Sequence, residues 1–181
     1  MTFRTALRKL ALAPAALALL TFVPRVLAQE ETKEEAMYRE DYERFTKIKA
    51  IPDPMKRCDA FYDFLKQRPD SKLLKNAQAE YLLILDGVMK AQRYTELETL
   101  SERFIRLFPK VGETYYFYGA ALQEAKKPAE AMVALAKCYL LKNPGSERAK
   151  QRLEFLYKAQ NRGNLAGIEA IYQKARAELA K

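Results

Sequence analysis

Proline placement constrains this chain more than any other feature. Beyond residue 28 the prolines fall at 52, 54, 69, 109, 128 and 144, each beside turn or cap residues, and the stretches between them carry apolar residues at helical spacing. Proline inside a helix removes an amide donor and clashes with the preceding turn, so a chain that confines it to such boundaries reads as a row of helices. Residue choice agrees. After Ala28 there are only three Val and six Ile, whereas Leu, Ala, Glu, Lys and Arg are abundant, and this preference opposes strands throughout. The predicted fold class is all-α.

Eight helices are predicted. Residues 34–50 form the first, and Asp53 caps a second that has Pro54 at its first position and runs to Gln67. Ser71 caps a long third helix to about Gln92, Thr95–Leu107 is the fourth, and Gly112–Lys126 and Pro128–Lys142 are the fifth and sixth. Ser146 opens the seventh, which ends near Gln160, and Asn164 opens the eighth, which reaches the C-terminus. Connections of two to five residues make neighbours antiparallel, giving four consecutive helical hairpins at about 34–70, 71–110, 112–145 and 146–181.

The N-terminus belongs outside that count. Arg4, Arg8 and Lys9 precede Leu10–Val23, a run of 14 residues without charge, and Val26-Leu27-Ala28 places modest side chains three and one residues before a cut. Residues 1–28 are therefore expected to be a signal peptide cleaved after Ala28. As a helix the run would span about 21 Å, short of the roughly 30 Å hydrocarbon core, and Pro14 interrupts it. An uncleaved N-terminal anchor is the alternative. The first cysteine is Cys58, too distant for lipidation at the cut, and Arg8-Lys9 is not a twin-arginine pair. Export through the general route follows: periplasmic in a cell with two membranes, secreted otherwise.

Losing Arg4, Arg8, Lys9 and Arg25 leaves 28 basic against 23 acidic residues and lowers the net charge from +9 to +5. The remaining Lys and Arg alternate with Glu and Asp, the pattern of a solvated helical surface. Nucleic acid is not an expected partner, and membrane contact would be peripheral at most.

The helices repeat. Leu85 and Gly119, Tyr94 and Pro128, Leu97 and Ala131, and Phe104 and Cys138 are each 34 residues apart, at matching places in successive hairpins. Tyr115-x-x-Tyr118-Gly119-x-x-Leu122, followed by Ala131-x-x-x-Leu135, Cys138 and Pro144, resembles the tetratricopeptide repeat. Residues 112–145 match best; 78–111 keep Leu85, Leu97, Phe104 and Pro109, 149–181 keep Gly163, Tyr172 and Ala175, and the first hairpin keeps Phe61, Phe64 and Pro69. Small Gly119 and Ala131 are expected to let paired helices approach while larger neighbours fill the space around them.

The resemblance implies a right-handed superhelical stack whose first helices line a concave surface that holds an extended peptide or a partner's helix. Carried over by register, that surface comprises Leu82, Asp86, Met89 and Lys90, then Tyr116, Gln123 and Glu124, then Lys150, Leu153 and Tyr157. Leu82, Met89 and Leu153 equally fit a core role. The C-terminal hairpin lacks a further solvating helix, so Ile168 and Tyr172 are expected to stay partly exposed and to favour self-association or a bound partner.

Chemistry is sparse by comparison. The chain has no histidine, which removes His-based nucleophile systems and His metal sites, and it has no phosphate-binding glycine loop, paired CxxC or G-x-S-x-G. No catalytic residue, cofactor or metal is expected. Hairpins stacked roughly 10 Å apart would hold Cys58 and Cys138 about 20 Å from each other, beyond the roughly 7 Å limit for a disulfide, which predicts two buried free thiols. The leading expectation is a non-enzymatic exported interaction module in envelope assembly. A membrane-anchored accessory protein and, behind it, an enzyme on a helical scaffold are the alternatives.

Overall fold

The computed structural model describes residues 32–181; the predicted signal peptide at 1–28 and its cleavage site lie outside the described residues. Among the described residues there are eight helices and no strand: α1 (Lys33–Lys49), α2 (Pro54–Gln67), α3 (Leu74–Lys90), α4 (Tyr94–Leu107), α5 (Gly112–Glu124), α6 (Pro128–Leu140), α7 (Ser146–Gln160) and α8 (Glu169–Leu179). The all-α expectation holds, and the boundary prolines act as predicted. Asp53 Oδ1 accepts from the amides of Met55 and Lys56 at 2.8 and 3.1 Å, satisfying two donors of the first turn of α2. Those bonds, Lys56 first, hold its carboxyl below the ordinary carboxylate value. Pro54 and Pro128 stand in the first turns of α2 and α6, where a missing amide leaves no bond unmade.

Two helix starts depart from expectation for one reason. Ser71 Oγ accepts from the Leu73 amide at 3.1 Å, and Asn164 Oδ1 accepts from the Ala166 amide at 2.8 Å. Each side chain closes a local turn that competes with helix instead of capping one. The chain then turns helical only at Leu74 and, after Gly167 at φ +91°, at Glu169.

Helices pack in sequence: α1 on α2, α3 on α4 and α5 on α6 as hairpins, with α2 on α3, α4 on α5 and α6 on α7 joining them. The α5–α6 contact is the most extensive. A Cβ added at Gly119 would stand 2.9 Å from Leu135 Cγ and 3.2 Å from the Ala131 carbonyl oxygen. Ala120, Ala121, Ala131, Ala134 and Ala136 are buried around that approach. Small side chains are what let the two backbones come so close. A single apolar core continues from Ile48 through Phe61, Tyr81, Phe104 and Leu135 to Leu153 and Ala175.

The fourth pair is looser. Its connection, residues 161–168, is longer than predicted, and α8 packs on α6 instead of closing tightly on α7. The Tyr172 ring lies 5.7 Å from that of Tyr139, and Lys137 Nζ is 2.8 Å from the Glu178 carboxylate. Ile168 and Tyr172 are half-buried against the core.

Helix ends share a closure. Gln92, Lys126, Lys142 and Arg162, following α3, α5, α6 and α7, adopt left-handed backbone at φ 57°, 59°, 49° and 52°. After three of them the next amide reaches back across the last turn: Arg93 to the Val88 carbonyl at 3.1 Å, Lys127 to Leu122 at 2.9 Å and Gly163 to Lys158 at 2.9 Å. Carbonyls that a helix end would leave unpaired are satisfied this way.

Candidate functional site

A cleft of about 460 Å³ is shared by α3, α5 and the start of α7, the first helices of successive pairs. On α3, Tyr81, Ile84, Leu85 and Val88 point into the core. The helix is apolar over more than that stripe, so Leu82 is left half-buried and Leu83 is 65% exposed at the cleft edge. Helix α5 is buried on nearly every side because α3, α4, α6 and α7 all touch it. Its Tyr116 and Phe117, 6% and 5% exposed and edge-on with ring centroids 6.0 Å apart, form the floor.

Helix α7 closes the other side. Ala149, Leu153 and Leu156 are its core stripe, and Arg148 and Arg152, each one residue before a core position, lie on the flank that faces α5. The guanidinium carbons stand 4.5 and 5.8 Å from the Tyr116 ring centroid. Arg152 Nε donates to Gln123 Oε1 at 2.8 Å. Phe155, one turn further along the same flank, is 68% exposed. Among the described residues neither guanidinium has a carboxylate partner. Asp86, across the cleft, is paired with Lys90 at 2.6 Å, and Glu113 lines the cleft without such a pair.

Of the residues expected on the concave surface, Leu82, Asp86 and Tyr116 line this cleft. Lys90 sits beside it through Asp86, Gln123 through Arg152, and Met89 packs half-buried on the core. Glu124 is exposed at the end of α5. The three positions taken from α7 are placed elsewhere. Leu153 is fully buried in the core, Lys150 Nζ lies 5.5 Å from the Tyr139 ring of α6, and Tyr157 Oη donates to the Ala166 carbonyl at 2.8 Å in the α7–α8 connection. An offset of 34 residues carries Tyr116 onto Lys150, but α7 meets the cleft on the flank turned toward the preceding helix. Sequence reasoning therefore missed Arg148, which lines the cleft, and with it Arg152 and Phe155, whose four- and three-residue spacing puts them on the same face of α7. It also missed Leu83, Glu113 and Phe117; Leu83 and Phe117 match core residues in type and carry no signal of their own.

A second cavity, about 300 Å³, lies among α5, α6 and α8 beside Tyr115, Tyr118, Lys137 and Glu178. Burial raises both tyrosine hydroxyls above their ordinary value, and the Lys137–Glu178 ion pair ties α8 to α6 there. Cys58 and Cys138 are free and buried, and burial pushes their thiols up to about 12 and about 11. Neither is a nucleophilic thiolate at neutral pH. Among the described residues no three Cys, Asp or Glu side chains converge to hold a metal ion, and no helix is long and apolar enough to cross a membrane. Compared with known protein families, curated proteins and solved structures, the chain matches none.

Proposed function

We propose that this protein is a non-catalytic, exported interaction module of tetratricopeptide-like architecture, acting as a scaffold in cell-envelope assembly. In this reading the hairpins wind into a right-handed superhelix, and the α3–α5–α7 face receives a peptide or a partner's helix. The observation that carries it is the cleft. Leu83, 65% exposed, borders a floor of buried rings and the Arg148 guanidinium, and Phe155, 68% exposed, shares the α7 face of Arg148 and Arg152. Large apolar side chains left to water beside preorganised polar groups are the composition of a recognition surface. Export rests on the N-terminal charge and apolar pattern, and no cofactor, metal or nucleic acid enters the reading. Self-association through the C-terminal pair is a second possibility, favoured by the exposure of Phe155 on α7.

Photocrosslinking in living cells tests the surface. A photoreactive phenylalanine at position 83 or 155 is expected to give discrete heavier adducts, and one at exposed Arg106 on α4 is not. Adducts of equal yield at all three positions, or at none, would remove the cleft from consideration. Intact mass of the envelope-purified protein is expected to begin at Gln29; retention of Met1 would favour the anchored alternative.

A further inference from the structure

We propose that the occupant of the α3–α5–α7 cleft is an acidic peptide segment, with one apolar side chain seated on Leu82, Leu83 and Phe117 and a nearby carboxylate held by Arg148 and Arg152. This rests on the groove reading above and names the chemistry of the partner. Both guanidinium groups lie close to the Tyr116 ring, at 4.5 and 5.8 Å, and neither is paired with a carboxylate among the described residues. Arg152 commits only Nε, to Gln123, so its Nη donors remain, and Arg148 keeps its whole edge. Such an edge presents parallel donors that match the two oxygens of a carboxylate, a geometry lysine cannot offer.

Part of the ordering is in place before a partner arrives, because the Tyr116 ring beside both arginines is buried and Gln123 holds Arg152. The protein's own acids do not supply the missing anion. Asp86 is engaged by Lys90, and Glu113 shares the cleft without reaching Arg148 at ion-pair distance. Charge complementarity therefore selects carboxylate at the α7 side, and the apolar wall of α3 and α5 selects a hydrophobic anchor beside it. A 460 Å³ space is about 10 Å across if treated as a sphere, which separates anchor and acid by about three extended residues at roughly 3.3 Å each. A free phosphate or a lipid headgroup would use the arginines and leave that wall unfilled.

Fluorescence anisotropy with two labelled peptides decides the matter, one containing Phe-Ser-Ser-Glu-Glu and the other Phe-Ser-Ser-Lys-Lys, titrated with the exported protein at low salt. The Glu peptide is expected to bind at least about tenfold more tightly than the Lys peptide. Arg148→Glu with Arg152→Glu should reverse that preference, Arg148→Gln with Arg152→Gln should abolish it, and Leu83→Asp should weaken both peptides. Equal binding of the two peptides that Leu83→Asp still removes would overturn the acidic partner and leave the groove standing. No saturable binding of either peptide would overturn both. Full displacement by millimolar inorganic phosphate or anionic lipid vesicles, together with undiminished binding when Phe is changed to Ser, would mark a bare anion site and also overturn the proposal.

Discussion

The third and fourth helix pairs open 34 residues apart, at Gly112 and Ser146, yet one closes tightly and the other stays apart. In α5–α6 the two positions that set the approach are Gly119 and Ala131, packed so closely that a Cβ at Gly119 meets Leu135 and the Ala131 backbone. The residues 34 positions later are Leu153 and Leu165. Leu153 fills the core with a full side chain and Leu165 falls in the connection, so α7 offers no shallow surface for α8, which lies on α6 instead. A 34-residue period thus separates the starts of α4 and α6 and of α5 and α7, and it fails at α8. Closure of each pair is decided by whether small residues occupy two facing positions.

The strongest way to break this comparison is to put a leucine where the third pair has its glycine. Gly119→Leu should cost about 3 kcal/mol in urea denaturation, the upper part of the overpacking range, since neither the Ala131 backbone nor fully buried Leu135 has room to yield. A more stable variant would show that close approach does not hold α5 to α6.

Removing the ring that seats α8 should matter less and act locally. Tyr172→Ala deletes a half-buried side chain whose ring is tilted against that of Tyr139, an expected loss of about 2 kcal/mol. Hydrogen exchange should accelerate across Glu169–Leu179 and hardly change in α5 and α6. Equal acceleration in all three helices would erase the distinction between a tight pair and a loose one.

Gly87 sharpens the point with the opposite sign. It lies inside α3, and a Cβ there would meet nothing within 4 Å, so Gly87→Ala should stabilise the protein by about 1 kcal/mol through helix propensity alone. A lowered melting temperature would mean that α3 also depends on a close glycine contact.

The smallest effect concerns acid. The hydrogen bond from Lys137 lowers the pKa of Glu178 below its ordinary value of 4.5. A depressed carboxylate stabilises the folded state above the unfolded pKa, and that contribution disappears as pH falls from about 4.5 through the folded value. Because Glu178 is partly exposed, solvent screening keeps the contribution below about 1 kcal/mol. Exchange in α8 should rise over that pH window ahead of exchange in α5 and α6, and Glu178→Gln should remove the difference.

Much of this architecture is legible in the residues. Asp53-Pro54 announces the start of α2, Pro128 that of α6, and the Gly119 contact follows from one repeat motif. The starts of α3 and α8 are less legible, because Ser71 and Asn164 are equally suited to capping a helix and to closing a turn, and neighbouring packing selects between them. The candidate site is harder still. Tyr116, Leu82 and Asp86 emerge from register, but Arg148 and Arg152 belong to the site through the flank that α7 turns toward α5, which depends on how whole helices pack.

The left-handed residues that finish four helices bear on how this protein would change over generations. Gln92, Lys126, Lys142 and Arg162 hold side chains in a conformation that glycine adopts without strain, each at a penalty of about 1 kcal/mol. None of them lines the α3–α5–α7 cleft. Glycine at any one would offset a typical destabilising substitution, which also costs about 1 kcal/mol. The cleft thus has latent evolvability: destabilising substitutions there would be tolerated once one of these helix ends is relaxed.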